Sequence, residues 1–352
     1  MEKTGRVMFL LAIIITAFML SGCGLNKKHE NIDAGMKAIQ NLDYSGAQEC
    51  FEKALVNSED QQLIYRGQGI AYIGLTQYEE AKEALLKAIS YNRTGPDNIT
   101  YDINYYLATA YYKTGELKKA IQIYSSIIAL KPKETDAYYL RGSVELDNNE
   151  YEAAVADFDE AMKLAKTDYD MYINIYLSFE RNGYREEGQK YLQDLLDHNG
   201  DSMSNYNKGR ISFYLQDYDS ARNLLEEART ESSGNADVIL MLGRTYEVLG
   251  DYNYASSVYL NYLKDDTTQV EVYNQLGLCK MKMQDYQAAL EAFQSALSIE
   301  NNDMIQTLQY NEIVAYEYLG EYKQATVNIE KYLKLYPDDE KAQREYEFLQ
   351  TR

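Results

Sequence analysis

The sequence predicts an all-α protein built as a solenoid of stacked helix–turn–helix units. Three observations predict this fold class. Small residues recur at intervals close to 34 residues, apolar residues follow them at helical spacing, and only three prolines occur among 352 residues. A chain with so little proline can form long uninterrupted helices. Because one pair of helices cannot bury its apolar face alone, a repeat of this length indicates a stack of pairs.

The repeat is defined by five aligned positions in nine copies. The reference position holds a small residue in every copy: Ala47, Ala81, Ala120, Ala154, Gly188, Ala221, Ala255, Ala289 and Ala325. Tyrosine is usual three positions before it, glycine is usual twelve positions before it, and apolar residues lie four and seven positions after it. The seventh copy shows the pattern with Gly243, Tyr252 and Tyr259.

This pattern resembles the tetratricopeptide repeat (TPR), a helix–turn–helix of 34 residues. The resemblance implies a right-handed α-solenoid in which the small residue of the first helix faces the alanine of the second. It covers residues 28–336, to which we assign nine repeats. Residues 337–352 are predicted to form a C-terminal capping helix with Asp338 as its N-cap, because many charges and few large apolar residues suit a solvated end.

Two departures from the repeat carry predictions of their own. The fifth copy has Tyr176 where glycine is usual and Gly188 where alanine is usual. If these residues face each other, the large side chain fills the space that the missing one leaves. The interval between Ala81 and Ala120 is 39 residues, with the extra residues around 92–98, and we expect a bend or hinge there.

The N-terminus is predicted to be a targeting signal. A short basic segment precedes an apolar run at residues 7–20, which is shorter than the roughly 20 residues that span a bilayer. The run ends in Leu-Ser-Gly-Cys at residues 20–23, which resembles the lipobox of bacterial lipoproteins. The resemblance implies that residues 1–22 are a cleaved signal peptide and that Cys23 is lipidated.

Lipidation would anchor the mature chain to the cell membrane on its extracytoplasmic side. Two acyl chains on one protein give stable anchoring, whereas one chain is marginal. Residues 23–27 would then be the lipidated cysteine and a short tether before the first repeat.

The composition argues against catalysis, against a metal or cofactor site, and against nucleic-acid binding. A net charge of −20 opposes binding of nucleic acid through bulk charge. Two histidines, three cysteines and the lack of a glycine-rich phosphate loop leave little material for a metal centre, a cofactor site or a catalytic triad. Cys50 and Cys279 lie seven repeats apart, too far for a disulfide. We expect a protein that is not an enzyme and holds no cofactor or metal.

The surface of the first helices is the candidate binding site. In the TPR family these helices line the concave face, and tyrosine, asparagine and arginine are well suited to holding a peptide there. The candidate patch consists of Asn174, Tyr206, Asn207, Arg210 and Arg244. A carboxylate of an extended peptide could bind the two arginines. Alternatively, the arginines only neutralise nearby carboxylates such as Glu180 and Glu247, of which we expect Glu247 on the concave face.

One TPR subtype does not match this sequence. Proteins that hold a terminal carboxylate carry lysine and asparagine at the fifth and ninth positions of their first repeat, where this chain has Ile32 and Met36. The overall expectation is a membrane-anchored extracytoplasmic scaffold for proteins or peptides. The alternatives are an envelope-assembly lipoprotein of the pilotin or outer-membrane-insertion type, and a cell-wall factor that recruits hydrolases.

Overall fold

A computed structural model describes residues 29–92, 95–232, 234–300, 302–337 and 339–352. Over these residues the chain forms 19 α-helices and no β-strand. The predicted signal peptide at residues 1–22, the lipidation site Cys23 and the tether lie outside the described residues.

The helices follow one another with short connections. They are α1 (Glu30–Gln40), α2 (Tyr44–Val56), α3 (Gln61–Gly74), α4 (Tyr78–Ser90), α5 (Asn98–Lys113), α6 (Leu117–Leu130), α7 (Thr135–Asp147), α8 (Tyr151–Leu164), α9 (Tyr169–Arg181), α10 (Arg185–Asn199), α11 (Asn205–Tyr214), α12 (Tyr218–Glu231), α13 (Ala236–Val248), α14 (Tyr252–Leu263), α15 (Val270–Lys282), α16 (Tyr286–Leu297), α17 (Ile305–Tyr318), α18 (Tyr322–Leu335) and α19 (Glu340–Leu349). A 3₁₀ turn, Gly200–Ser202, follows α10.

The helices form two layers of a right-handed α-solenoid. Each helix packs against its neighbours in sequence, which joins α1 to α18 into nine pairs. The odd-numbered helices also contact one another along the row, for example α1 with α3, α7 with α9 and α13 with α15. Helices on the inside of a curved stack are closer together than those on the outside. The odd-numbered helices therefore form the inner, concave layer.

Close approach at the predicted small positions holds each pair together. All eight reference alanines are fully buried. A Cβ atom on Gly243 would lie 2.1 Å from Tyr259 Cζ, and one on Gly277 would lie 2.4 Å from Phe293 Cε1. Real Cβ contacts are longer than this, so only glycine lets the aromatic ring lie over the first helix. The predicted repeat register is confirmed.

The fifth pair has the compensation that the sequence predicted. Tyr176 is buried, and a Cβ atom on Gly188 would lie only 3.2 Å from the Tyr176 Cα and Cδ2 atoms. The tyrosine thus occupies the space that alanine would need, and the pair closes to normal packing.

A left-handed residue ends the first helix of every repeat. It lies five positions before the reference residue in all nine copies: Leu42, Thr76, Gly115, Asn149, Gly183, Gln216, Gly250, Gln284 and Gly320. Their φ angles lie between 60° and 85°. Five of them are not glycine and therefore carry the strain of a Cβ atom in this region.

Helix α19 packs on α18 as an additional, terminal helix and buries Ala342 and Leu349. Its N-cap is Asp339, whose Oδ1 accepts hydrogen bonds from the backbone N–H groups of Lys341 (3.0 Å) and Ala342 (3.1 Å). The predicted N-cap, Asp338, lies outside the described residues. The structure therefore places the cap one residue later than predicted.

Candidate peptide-binding groove

The five candidate residues lie on three neighbouring inner helices. Asn174 is on α9, Tyr206, Asn207 and Arg210 are on α11, and Arg244 is on α13. Helix α11 contacts both α9 and α13. The structure therefore places residues that are up to 70 positions apart in sequence on adjacent elements of one concave surface.

Arg210 is held by three groups. Its Nη2 forms an ion pair with Asp170 Oδ1, and its Nη1 donates a 3.4 Å hydrogen bond to Asn207 Oδ1. The guanidinium carbon lies 5.1 Å from the centre of the Tyr206 ring, within the range of a cation–π contact. Its neutralising partner is thus Asp170 and not the predicted glutamates. Arg210 therefore orders the side chains of Tyr206 and Asn207, and its own positive charge is already paired with Asp170.

Arg244 and Asn174 have uncommitted polar groups. The Arg244 side chain is exposed and forms no hydrogen bond or ion pair with the described residues. Asn174 is half-buried, and its side-chain amide forms no hydrogen bond with the described residues; outside the helix ladder, its backbone carbonyl accepts a hydrogen bond from Ser178 Oγ at 3.0 Å. A guanidinium and an amide are therefore available to a ligand on either side of the Tyr206 cluster.

Glu247 is buried, which contradicts the expectation of an open position on the concave face. Its carboxylate accepts hydrogen bonds of 2.9 Å from the Tyr259 hydroxyl, Gln275 Nε2 and Lys282 Nζ. The cause lies at Gly243, because the absence of a side chain there lets the Tyr259 ring cross α13 and reach Glu247. This carboxylate joins α13, α14 and α15 and takes no part in an open site.

Acidic residues line the rim of the groove where the inner helices begin. They occupy the second repeat position: Asp102, Asp136, Asp170, Asp237 and Glu271. Arg66 pairs with the first of them, and Arg210 pairs with the third. Burial raises the pKa of Glu271. The positive charge of Arg244 opposes this shift, and the negative charges of Asp303 and Asp237 add to it. The aligned sequence shows that acidic residues recur at this repeat position. That they border the groove follows only from the packing of the inner helices.

The described part of the chain contains neither a metal-binding cluster nor a membrane-spanning helix. No group of three or more histidine, cysteine, aspartate or glutamate side chains is placed there to hold a metal ion. None of the helices in these ranges has the length and apolar character needed to cross a membrane. Cys50 and Cys279 are free thiols, and burial raises the pKa of Cys279 to about 11.

Family models of the tetratricopeptide repeat match residues 66–135 and 107–169, residues 213–279 and residues 270–303. Together these segments cover more than half of the chain. The chain belongs to the tetratricopeptide repeat family. TPR proteins typically act as non-catalytic scaffolds for protein interaction, and this fold supports a protein or peptide partner.

Two curated relatives match the TPR region. The chain is 26% identical over 250 residues to a TPR repeat-containing protein of Methanocaldococcus jannaschii, covering 67% of this chain and 42% of that protein. It is 21% identical over 260 residues to the BBSome complex member BBS4 of Bos taurus, covering 74% and 49%. The chain thus spans less than half the length of these two relatives.

Among solved structures, yeast Tom70 shares the architecture of this fold. Yeast Tom70 superposes with a TM-score of 0.52 at 15% identity, covering 93% of this chain and 82% of that chain. A crystal structure of the MamA protein has a TM-score of 0.41 at 25% identity, covering 48% and 90%. The likeness to Tom70 extends over nearly the whole of the chain described here. At 15% identity it concerns the fold alone.

Proposed function

We propose that this TPR protein is a lipid-anchored scaffold on the extracytoplasmic side of the cell membrane, and that it holds a protein or peptide partner along its concave groove. The observation that carries the binding part is the arrangement on α9, α11 and α13. A fixed aromatic ring, Tyr206, lies between two uncommitted polar side chains, Asn174 and Arg244.

This arrangement suits an extended peptide. An asparagine amide both donates and accepts, so Asn174 can pair with a peptide bond of the ligand. Tyr206 offers an apolar surface at little cost in side-chain entropy, because the contact with Arg210 already orders it. Arg244 supplies a charge that no described residue neutralises through an ion pair. Rigid aromatic and arginine anchors of this kind dominate the binding energy of many protein interfaces.

The anchoring part of the proposal is supported by the sequence at residues 20–23. An apolar run too short to span a bilayer, followed by a complete lipobox, is the arrangement that directs a cysteine to lipidation. A lipid on Cys23 would hold the first repeat close to the membrane, since few residues separate Cys23 from α1.

Site-specific photocrosslinking in intact cells tests the binding part. A photoreactive phenylalanine analogue in place of Tyr206 should capture the partner, which mass spectrometry then identifies. The matched control places the same analogue at Leu260, which is 43% exposed on the outer helix α14. Capture from Leu260 and not from Tyr206 would move the binding surface to the convex face. The identity of the captured protein distinguishes an assembly factor from a recruiter of wall hydrolases.

Loss of the uncommitted groups provides the quantitative test. Asn174→Ala with Arg244→Ala should weaken capture at least tenfold, about 1.4 kcal/mol, without changing the thermal melt. Unchanged capture with an unchanged melt would remove these two residues from the site.

A further inference from the structure

A second cluster of polar residues lies at the opposite ends of the inner helices. Lys113, Asp147 and Arg181 are the last residues of α5, α7 and α9. They occupy the same repeat position, the thirteenth, in the third, fourth and fifth repeats. The three side chains therefore lie along one edge of the concave surface, across the groove from the acidic rim.

Asp147 is saturated by its neighbours. It accepts hydrogen bonds from the Tyr112 hydroxyl at 2.6 Å, from Asn182 Nδ2 at 2.8 Å and from Arg181 Nη2 at 3.0 Å. Arg181 Nη2 also donates to Ser143 Oγ at 3.1 Å. This network joins three consecutive repeats and fixes the guanidinium in one orientation, with the side chain of Arg181 still 38% exposed.

Lys113 has no such partner. Its side chain is half-buried and forms no hydrogen bond or ion pair with the described residues. Burial and the charge of Arg181 lower the pKa of this lysine. Lys82 shows the usual alternative, because that buried lysine is paired with both Glu79 and Glu116. Two positively charged residues, at the thirteenth position of the third and fifth repeats, thus flank a single carboxylate at the same position of the fourth repeat, in a chain whose net charge is −20.

We propose that Lys113 and Arg181 form a carboxylate-binding subsite of the groove, which takes an aspartate or glutamate side chain of the bound partner. This inference rests on the proposed function of the groove and names the chemistry of its ligand. A partly desolvated ammonium and an oriented guanidinium on the same edge of the groove can both give charge-assisted hydrogen bonds to a carboxylate. Ionisation of the ligand would also supply the counter-charge that Lys113 lacks.

The subsite lies in register with the candidate patch. Asn174 and Arg181 are seven residues apart on α9, two helical turns, so they share a face at a separation of about 10 Å. An extended peptide advances about 3.3 Å per residue. An acidic residue bound at Arg181 therefore lies about three residues from the peptide bond that Asn174 holds. This spacing gives the ligand a preferred sequence pattern as well as a charge.

The direct test uses defined peptides and the purified lipidated protein in detergent. The probe is a fluorescein-labelled peptide of four alanine–glutamate pairs, and the reference is the same peptide with glutamine in place of glutamate. We expect fluorescence anisotropy to show tighter binding of the acidic peptide, and Lys113→Gln to weaken it at least tenfold. The matched control is Lys118→Gln, an exposed lysine on α6 without an ion pair, which should leave the affinity unchanged.

Amine labelling of the unmutated protein gives an independent readout. Because its pKa is lowered, Lys113 should react with an amine-selective reagent at a lower pH than is usual for a lysine, and the acidic peptide should slow its modification. Equal binding of the two peptides, no binding of either, or unprotected labelling of Lys113 would each overturn the subsite. Crosslinking from Tyr206 would still succeed in those cases, so failure of the subsite is distinguishable from failure of the scaffold function.

Discussion

The ring of Tyr259 lies directly over Gly243, and a Cβ atom on that glycine would lie 2.1 Å from Tyr259 Cζ. Gly243→Ala should therefore displace a fully buried ring and lower the free energy of unfolding by about 1–3 kcal/mol. Urea unfolding followed by circular dichroism measures the change. Gly234→Ala is the control, since nothing lies within 4 Å of its Cβ position and its effect should stay within about 0.5 kcal/mol. Equal losses from both variants would contradict the assigned register.

Glu247→Ala should destabilise the protein by about 2 kcal/mol or more. The substitution leaves the Tyr259 hydroxyl without its buried acceptor and removes a bond that holds α15 through Gln275. Arg244→Ala, three residues earlier on the same helix, removes an exposed side chain and should leave the unfolding free energy within about 0.5 kcal/mol. If the two variants unfold alike, the buried role of Glu247 is wrong.

The left-handed turn residues predict a stabilising change. Gln284 has a φ of 62°, where a Cβ atom costs roughly 1 kcal/mol, so Gln284→Gly should raise the free energy of unfolding by up to about 1 kcal/mol. Gly250 holds the equivalent position of the preceding repeat with a φ of 83°, and Gly250→Ala should lower it by a similar amount. The same denaturation assay measures both. Changes of the same sign would show that turn strain does not govern these positions.

Stability should decrease as the pH rises through the range in which Glu317 ionises. Burial and the neighbouring Glu345 raise the pKa of Glu317 from 4.5 to about 8. Between these two values the folded protein keeps a proton that the unfolded chain has lost, so the free energy of unfolding falls as pH increases from about 5 to 8. Glu317→Gln should flatten this dependence and stabilise the protein most at high pH.

Urea unfolding of both proteins at pH 5.5, 7 and 8.5 measures the effect of Glu317→Gln. The exposed Glu347→Gln on α19 is the control and should leave the pH dependence of the wild type in place. Buried Glu145, whose pKa is raised to about 7 by burial and then by Asp157, contributes a slope of the same sign in every variant. Parallel curves for wild type and Glu317→Gln would contradict the raised pKa.

Lipid anchoring predicts the behaviour of Cys23→Ala. Without the sulfur atom that accepts the lipid, the chain should remain unprocessed or be released from the membrane. Metabolic labelling with a clickable palmitate analogue and cell fractionation measure the two effects. Cys50→Ala is the matched control and should label and fractionate as the wild type does. A Cys23→Ala protein that still labels and sediments with membranes would exclude the lipoprotein assignment.

The sequence by itself determined the helix pairs and their contacts. Its 34-residue pattern predicted the close approach at Gly243 and the compensation between Tyr176 and Gly188, both of which the structure confirms. The reason is that these contacts are local. Small and large residues at fixed helical positions allow one way to pack a pair of helices, and the same pattern recurs in all nine repeats. The lipobox at residues 20–23 stays a prediction from sequence alone.

Only the tertiary structure decided which charges are paired. Arg210 pairs with Asp170, 40 residues away, and Lys282 with Glu247, 35 residues away, whereas Lys113 has no partner among the residues described. The repeat brings equivalent positions of neighbouring copies onto one face, but the curvature of the stack and the side-chain rotamers determine which groups meet. Periodicity therefore places a residue on the concave surface, and packing between repeats then determines whether its charge is used within the protein or left for a ligand.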